Sequence, residues 1–175
     1  MNYKKIIETV LLACDNPISI SRIKQIIGHL DINDKDIIEI IEKLNDDYKE
    51  DGKGIYIDSI SNGYQIRTLP EFHKYIRIAN NNYPKHRLSK PALEVLSIIS
   101  FKQPISKSDI ESIRGVDCSG LIKKLLEAKI IKIKGRDKKM GKALLYSTTS
   151  LFLEIFGLNN ITDLPKISEI KELIK

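Results

Sequence analysis

The side chains that most often act as catalysts or metal ligands are sparse in this chain of 175 residues. Its histidines, His29, His73 and His86, lie far apart, and none falls at the spacing of a metal-binding or catalytic motif. Its cysteines, Cys14 and Cys118, form no CxxC pair and indicate ordinary thiols in a reducing compartment. The sequence contains no phosphate-binding loop, GxSxG or HExxH motif. We therefore expect no enzyme activity and no cofactor or metal.

Basic side chains cluster in one segment of the second half, where they could contact phosphates. The members are Lys129, Lys132, Lys134, Arg136, Lys138, Lys139 and Lys142, and Asp137 alone opposes them. The preceding stretch GLIKKLLEAK offers no Asn, Gln or Arg for the bidentate base contacts that carry sequence specificity. Two interpretations stay open. We favour a solvated basic loop, and the alternative is weak, sequence-independent DNA contact through Lys132, Lys134, Lys138, Lys139 and Lys142.

The charge is distributed unevenly along the chain. Residues 1–84 carry 11 basic and 13 acidic residues, whereas residues 85–175 carry 18 and 10. Residues 34–51, which lie in a predicted helix and its flanks, hold eight acids against three lysines. A helix of this charge would repel the phosphates that a DNA-reading helix has to approach. The first half is therefore predicted not to read DNA.

The sequence contains one phrase twice, so the secondary-structure elements around it are predicted to occur twice. The stretch NPISISRIKQIIG begins at Asn16, QPISKSDIESIRG begins at Gln103, and from proline to glycine they match in seven of twelve columns. An offset of 87 residues exceeds the repeat length of solenoid proteins, which is about 20 to 50 residues. The repeat predicts two similar small domains.

Each copy is predicted to contain three short helices followed by a β-hairpin. In the second copy, apolar residues over 91–101 predict a core helix, and Ser106 with Asp109 predicts a capping box that begins a second helix. A third helix near 120–129 precedes the strands IIKIK and ALLYSTT. The first copy repeats this order, with helices near 4–14, 21–27 and 35–48 and a hairpin turn of Ser61, Asn62 and Gly63.

This order of elements predicts an α+β fold that is mostly helical, with two tandem winged helix-turn-helix domains. We expect an N-terminal domain over 1–80, a linker over 81–90, a C-terminal domain over 91–158 and a tail over 159–175. The linker contains three consecutive asparagines and lacks apolar periodicity.

The N-terminus contains a pattern that could be mistaken for an export signal. Lys4 and Lys5 precede an apolar run that ends in LLAC, as in a lipoprotein cleavage box, but Glu8 interrupts the run. The repeat also needs this segment as a helix. Nothing approaches the roughly 18 consecutive apolar residues of a membrane span. We expect a cytoplasmic protein without membrane contact.

The second copy resembles the segregation and condensation protein B family of bacteria. The resemblance is carried by LSKPALEVLSIISFKQPISKSDIESIRGV, by Gly135 and Arg136, and by LLYSTT, FLEIFGL and DLP in that order. The first copy resembles the family more loosely, through ISISRIKQII, the GIYI and GYQIRT strands and LPEF.

The resemblance implies a non-enzymatic subunit with two winged-helix domains. Family members form homodimers through the N-terminal domain and bind the kleisin subunit, segregation and condensation protein A, which joins them to the SMC ATPase. They act in chromosome condensation and segregation, which implies association with the nucleoid. The alternative function is a winged-helix DNA-binding transcriptional regulator.

Five residues of the second copy are the candidates for partner binding. They are Gln103, Arg114, Arg136, Tyr146 and Phe156. The two arginines suit either a fixed ion pair or partner recognition, because a guanidinium forks onto carboxylates in both settings. The sequence leaves these alternatives open.

Overall fold

The computed structural model describes residues 2–28, 32–79, 88–138 and 141–165. The chain divides into two units, Met1–Tyr83 and Pro84–Lys175. Both units combine helices with a small antiparallel sheet, so the expected mixture of helix and strand is confirmed. The C-terminal tail beyond residue 165 and most of the expected linker lie outside the described residues.

The first unit contains three helices, a hairpin and a short fourth helix among its described residues. In chain order they are α1 (Tyr3–Ala13), α2 (Ile20–Ile27), α3 (Asp34–Glu50), β1 (Ile55–Ile60), β2 (Gly63–Thr68), a 3-10 turn (Pro70–Phe72) and α4 (His73–Ala79). The sequence did not predict α4. This helix buries no residue, so it has no apolar stripe that a periodicity argument could detect.

The second unit has the same succession of three helices, a hairpin and a short helix, with one additional short strand, and its 3-10 turn follows the last helix instead of preceding it. Its elements are α5 (Lys90–Lys102), β3 (Ile105–Ser106), α6 (Lys107–Arg114), α7 (Ser119–Glu127), β4 (Ile131–Arg136), β5 (Leu144–Thr148), α8 (Ser150–Phe156) and a 3-10 turn (Ile161–Asp163). A two-residue strand such as β3 is too short to show alternation in a sequence.

The repeated proline phrase begins a helix in the same way in both units. Ser19 and Ser106 are the N-caps of α2 and α6, and their hydroxyl oxygens accept from the N–H groups of Arg22 at 3.3 Å and Asp109 at 3.2 Å. At Ser106 the predicted capping box is modified, because the hydroxyl also donates to the Asp109 carboxylate at 2.6 Å. Both caps satisfy an N–H group that the first turn leaves free.

The sheet of the first unit is a hairpin with an isolated bridge beside it. β1 and β2 pair antiparallel with Ile57 opposite Ile66. Ile18 and Tyr64 exchange two backbone hydrogen bonds, both of 2.9 Å. Gly63 lies against Ile18 so closely that an added Cβ would be 2.9 Å from the Ile18 carbonyl oxygen, so only glycine fits this turn.

The sheet of the second unit has the order β3-β5-β4, and all pairs are antiparallel. Tyr146 on β5 is paired with Ile105 on one side and Ile133 on the other. The register shifts between Ile133 and Gly135, as in a β-bulge. β4 is therefore an edge strand that bends at its bulge.

Each unit has a separate aliphatic core. The first core comprises Ile7, Leu11, Ile18, Ile23, Ile32, Ile37, Ile41, Leu44, Tyr48 and Ile57. The second comprises Val95, Leu96, Ile99, Ile105, Ile110, Cys118, Ile122, Leu125, Ile130, Ile131, Tyr146 and Phe152. Among the described residues, no helix has the length and apolar character needed to cross a membrane.

Candidate partner-binding surface

An apolar cleft opens on the second unit between α5, α8 and the segment after α8. We call it the α5 cleft, and its volume is about 330 Å³. Its lining residues are Leu93, Leu96, Ser97, Ser100, Phe101, Phe152, Phe156, Leu158, Leu164 and Pro165. Concave, mostly apolar surfaces with a few polar groups are typical of binding sites.

Two side chains of α5 that the sequence placed in the core line this cleft instead. Leu93 is 43% exposed and Phe101 is 38% exposed. The helix buries Ala92, Val95, Leu96 and Ile99 on its other side. An amphipathic helix packs one stripe against the core, so apolar residues outside that stripe face elsewhere. The expectation that the whole face from 91 to 101 is core is therefore wrong at these two positions.

Phe156 lies at the end of α8 and packs against a buried neighbour. Its ring centroid is 4.7 Å from that of Phe152, which is 2% exposed, whereas Phe156 itself is 45% exposed. The Thr149 hydroxyl accepts from the Phe152 N–H at 3.3 Å and caps the helix, which ends at Gly157 with a φ of 68°. Phe156 is thus an aromatic side chain on a short, well-capped helix, facing an apolar cleft.

A second, more open depression adjoins the α5 cleft and shares Leu93 and Ser97 with it. Its lining residues are Lys90, Leu93, Glu94, Ser97, Ile98, Ile113 and Arg114. Ile113 is 50% exposed, so it adds apolar area on the side of α6. The two concavities together form a continuous surface along α5 with charged groups at one end.

Arg114 is at this charged end and forms internal contacts. Its Nη2 donates to the Glu94 carboxylate at 2.9 Å, and its Nη1 donates to the Cys118 sulfur at 3.3 Å. These two hydrogen bonds raise the pKa of Arg114 above its ordinary value, with the contact to Cys118 the larger cause. The Arg114 side chain is 12% exposed, whereas that of Glu94 is 61% exposed. Arg114 therefore connects α5, α6 and the start of α7, and the ion pair that the sequence left open is present.

Gln103 and Tyr146 lie inside the unit. The Gln103 side-chain oxygen accepts from the N–H of Thr148 at 2.8 Å and from its hydroxyl at 3.1 Å, so it joins the end of α5 to β5. Tyr146 is only 7% exposed and belongs to the core. Their predicted role in partner binding stays a prediction, and their visible contacts stabilise the fold.

Arg136 lies on the β4–β5 hairpin with exposed lysines. The described basic members of this group are Lys132, Lys134, Arg136, Lys138 and Lys142, all exposed, and we call them the basic hairpin. Arg136 Nη1 donates to the Lys142 carbonyl at 3.2 Å, which closes the loop. Lys139 lies outside the described residues.

The structure thus separates the five predicted partner-binding residues into different settings. Phe156 lines the α5 cleft, Arg114 borders the adjoining depression, and Arg136 is on the hairpin. Leu93, Phe101 and Ile113 were not predicted from the sequence to bind a partner. The available signal for the two residues of α5 was the breadth of its apolar face, which exceeds what one core stripe can bury.

The described residues contain no group of three or more His, Cys, Asp or Glu side chains that could hold a metal ion. His73 begins α4, and His29 and His86 lie outside the described residues. The fold and surface define a protein of two similar small units, the second of which carries an apolar cleft.

Comparison of the sequence with models of protein families identifies the family of this protein. The model of the family described as "Segregation and condensation complex subunit ScpB" matches residues 5–167. The chain belongs to this family, as its sequence predicted.

Curated relatives match over nearly the whole chain. Segregation and condensation protein B of Syntrophotalea carbinolica is 37% identical over 98% of this chain and 85% of the relative. The protein of the same name from Alkaliphilus metalliredigens is 39% identical over 99% of this chain and 93% of the relative. That of Clostridioides difficile is 37% identical over 97% and 94%.

Two solved structures are also similar. A conserved hypothetical protein from Chlorobium tepidum is 31% identical, with 89% of this chain and 96% of that chain covered and a TM-score of 0.43. ScpB from Mycobacterium tuberculosis is 24% identical, with 90% and 96% covered and the same TM-score of 0.43. The family assignment rests on the sequence matches.

Proposed function

We propose that this protein is a non-enzymatic adaptor subunit of an SMC-kleisin complex that acts in chromosome condensation and segregation. Each of its two units is a winged-helix domain, and the protein works as a cytoplasmic, nucleoid-associated homodimer. Its direct partner is the kleisin, segregation and condensation protein A, through which it joins the SMC ATPase. Membership of the segregation and condensation subunit family supports this proposal.

The α5 cleft is the observation that carries the proposal. Binding energy at protein interfaces concentrates in a few apolar or aromatic anchors that fill pockets, while surrounding contacts mainly exclude water. Phe101, Phe156 and Leu93 supply such anchors on one side and leave a groove for apolar side chains of a partner. Ser97 and Ser100 supply polar groups at the cleft. We assign kleisin binding to this surface.

Isothermal titration calorimetry of the full chain with purified kleisin tests this function. The experiment needs the wild-type chain and a variant in which Phe156 is replaced by alanine. A saturable complex that weakens in the variant supports the proposal. A folded wild-type chain that forms no complex contradicts it.

DNA contact by the basic hairpin is the second candidate function. Five exposed basic side chains lie on the β4–β5 hairpin, where they can contact phosphates. A hairpin without a base-reading helix favours weak contact that does not depend on base sequence. The acidic character of α3 argues against DNA reading by the first unit, because that helix would repel phosphates. A transcriptional regulator would need selective base contacts, and GLIKKLLEAK offers no Asn, Gln or Arg for bidentate contacts of this kind.

A further inference from the structure

The outer edge of β4 presents backbone groups that β5 does not use. The Thr149 N–H donates to the Ile130 carbonyl at 3.1 Å, so these two residues form a bonded pair in the ladder. Bonded and non-bonded pairs alternate along antiparallel strands. Ile133 and Tyr146, three positions along the register, therefore form a non-bonded pair. The N–H and C=O of Ile133 point away from β5.

The same alternation is visible on the other side of β5. Ile131 and Thr148 also form a non-bonded pair, and the Thr148 N–H is accepted instead by Gln103 at 2.8 Å. On the outer edge, Ile131 is covered, with 2% exposure, whereas Ile133 is 49% exposed. The accessible part of the edge is therefore centred on Ile133.

In the first unit a side chain closes the edge of β1 at Ile57, which matches Ile131 of β4. Tyr64 and Tyr146 pair with Ile18 and Ile105 of the repeated phrase, and Ile57 and Ile131 each lie two positions before the residue opposite that tyrosine. Asn45 on α3 donates to the Ile57 carbonyl at 2.9 Å and accepts from the Ile57 N–H at 2.7 Å. An asparagine amide thereby replaces the partner strand at this position of β1. β1 buries both Ile57 and Ile60, so it lies against its own unit.

At Ile131, the position that matches Ile57, the second unit has no such clamp and the core covers the residue instead, whereas Ile133 matches Ser59 of β1. The buried residues at matching spacing are Ile37, Ile41 and Leu44 in the first unit and Cys118, Ile122 and Leu125 in the second. Asn45 follows Leu44 as Leu126 follows Leu125, and a leucine side chain cannot hydrogen-bond to a strand. β4 buries only its first residue, Ile131. Among the described residues, no strand lies on its outer side.

We propose that this edge of β4 binds an extended acidic segment of another protein, which adds to the sheet as a further strand. The main chain of the segment pairs with the N–H and C=O of Ile133, as in other cases of strand addition. Its acidic side chains lie near Lys132, Lys134 and Arg136, and an apolar side chain contacts Ile133. This site shares no residue with the α5 cleft and is independent of kleisin binding there.

Charge selects this occupant over a second copy of the chain. Lysines on an edge strand oppose pairing with an identical strand, because like charges would face each other. The same lysines favour a strand of opposite charge. Duplex DNA would also be attracted by the charge, but it offers no strand for the outward backbone groups and no apolar contact for Ile133.

Fluorescence anisotropy with the full chain and labelled peptides tests the proposal. The probe is the peptide Glu-Val-Glu-Val-Glu-Val-Glu, used beside one version N-methylated at every valine and another N-methylated at every glutamate. Alternate N–H groups of a strand point to opposite edges, so one methylated set removes the bonds to β4 and the other does not. We expect one version to bind at least about tenfold more weakly than the other. Equal affinities would mean attraction by charge alone and would overturn the proposal.

Two variants of the protein at Ile133 test the same hydrogen bonds from the side of β4. Ile133→Pro removes the outward N–H and leaves the bonded pairs with β5 intact, whereas Ile133→Val keeps that N–H. We expect the proline variant to lose at least about tenfold in peptide affinity and the valine variant to keep it. If melting curves show that Ile133→Pro is unfolded, the two methylated peptides decide alone. Tighter binding of a short DNA duplex that is unchanged by Ile133→Pro would contradict the proposal.

Discussion

Phe156 and Ile155 are neighbours on α8 with similar exposure, 45% and 53%, but only Phe156 lines the α5 cleft. They form a matched pair for testing that surface. We expect Phe156→Ala to weaken kleisin binding by at least about tenfold, or 1.4 kcal/mol, because the aromatic ring is the anchor. Ile155→Ala should change the affinity by less than about threefold. Titration calorimetry measures both.

The control for this pair is a melting curve of each variant. Phe156 is stacked on buried Phe152, so loss of its ring could loosen α8 as well as the cleft. Equal loss of kleisin affinity in the two folded variants would remove the α5 cleft from the account.

Asn45 is a residue whose contribution belongs to stability. Its side chain makes two hydrogen bonds to Ile57, a residue that is 4% exposed. Asn45→Ala leaves a buried N–H and a buried C=O unpaired, and an unpaired buried group costs about 1 to 3 kcal/mol. Because two groups lose their partner, we expect the free energy of unfolding in urea to fall by at least about 2 kcal/mol. Lys43→Ala, an exposed position on the same helix, is the control and should change it little.

At the residue scale, local rules predicted the caps and failed for long-range partners. Ser106 was recognisable as an N-cap because its partner, Asp109, is three residues away. The hydrogen bonds of Gln103 reach Thr148, 45 residues further on, and no sequence pattern reports such a contact. Tyr146 is buried in the core of the second unit and is paired with Ile105, 41 residues earlier, so its burial also depends on a long-range contact.

At the scale of elements, the basic hairpin carries positive charge but no side chains that would select a DNA sequence. We expect DNA binding by the full chain to be weak, indifferent to sequence and steeply dependent on salt. Each phosphate contact contributes a slope of about −0.9 in log K against log salt concentration. Lys138→Glu with Lys142→Glu should abolish binding to a short duplex and leave kleisin affinity within about tenfold.

The control for the hairpin is a charge reversal elsewhere. Lys43→Glu with Lys49→Glu reverses two exposed lysines on α3, outside the basic hairpin, and changes the charge by the same amount. If this control weakens DNA binding as strongly as the hairpin variant does, net charge and not the hairpin is responsible. Nanomolar, sequence-selective binding by the wild-type chain would instead favour the regulator.

The repeat explains why most elements were predictable. Two copies of one phrase predicted the same three helices and hairpin twice, and the apolar spacing of α1, α3 and α7 is regular. The missed elements leave no comparable pattern, because β3 is two residues long and α4 buries nothing. The basic segment was located correctly, but the open edge of β4 depends on hydrogen-bond register, which composition does not contain.

At the scale of the whole molecule, apolar side chains exposed on the first unit suggest a surface for a second copy. Leu12 is 71% exposed, and Tyr75 and Ile78 are each 65% exposed. Exposed apolar patches of this kind commonly mark interfaces. We predict that the full chain is a homodimer by light scattering and that Tyr75→Ser with Ile78→Ser shifts it to monomer.

The matching control for dimerisation lies on the second unit. Ile155→Ser removes a similarly exposed apolar side chain there and should leave the dimer intact. A wild-type chain that is strictly monomeric at concentrations of tens of micromolar would contradict the prediction.

Titration of purified kleisin into the folded wild-type chain is the most direct test of the adaptor function. We predict a saturable complex with a dissociation constant of about 1 μM or tighter, which corresponds to roughly −8 kcal/mol. The complex should survive the charge reversals on the basic hairpin and be weakened at least about tenfold by Phe156→Ala. Absence of any complex with a folded wild-type chain would contradict the adaptor function, whatever the chain does with DNA or with acidic peptides.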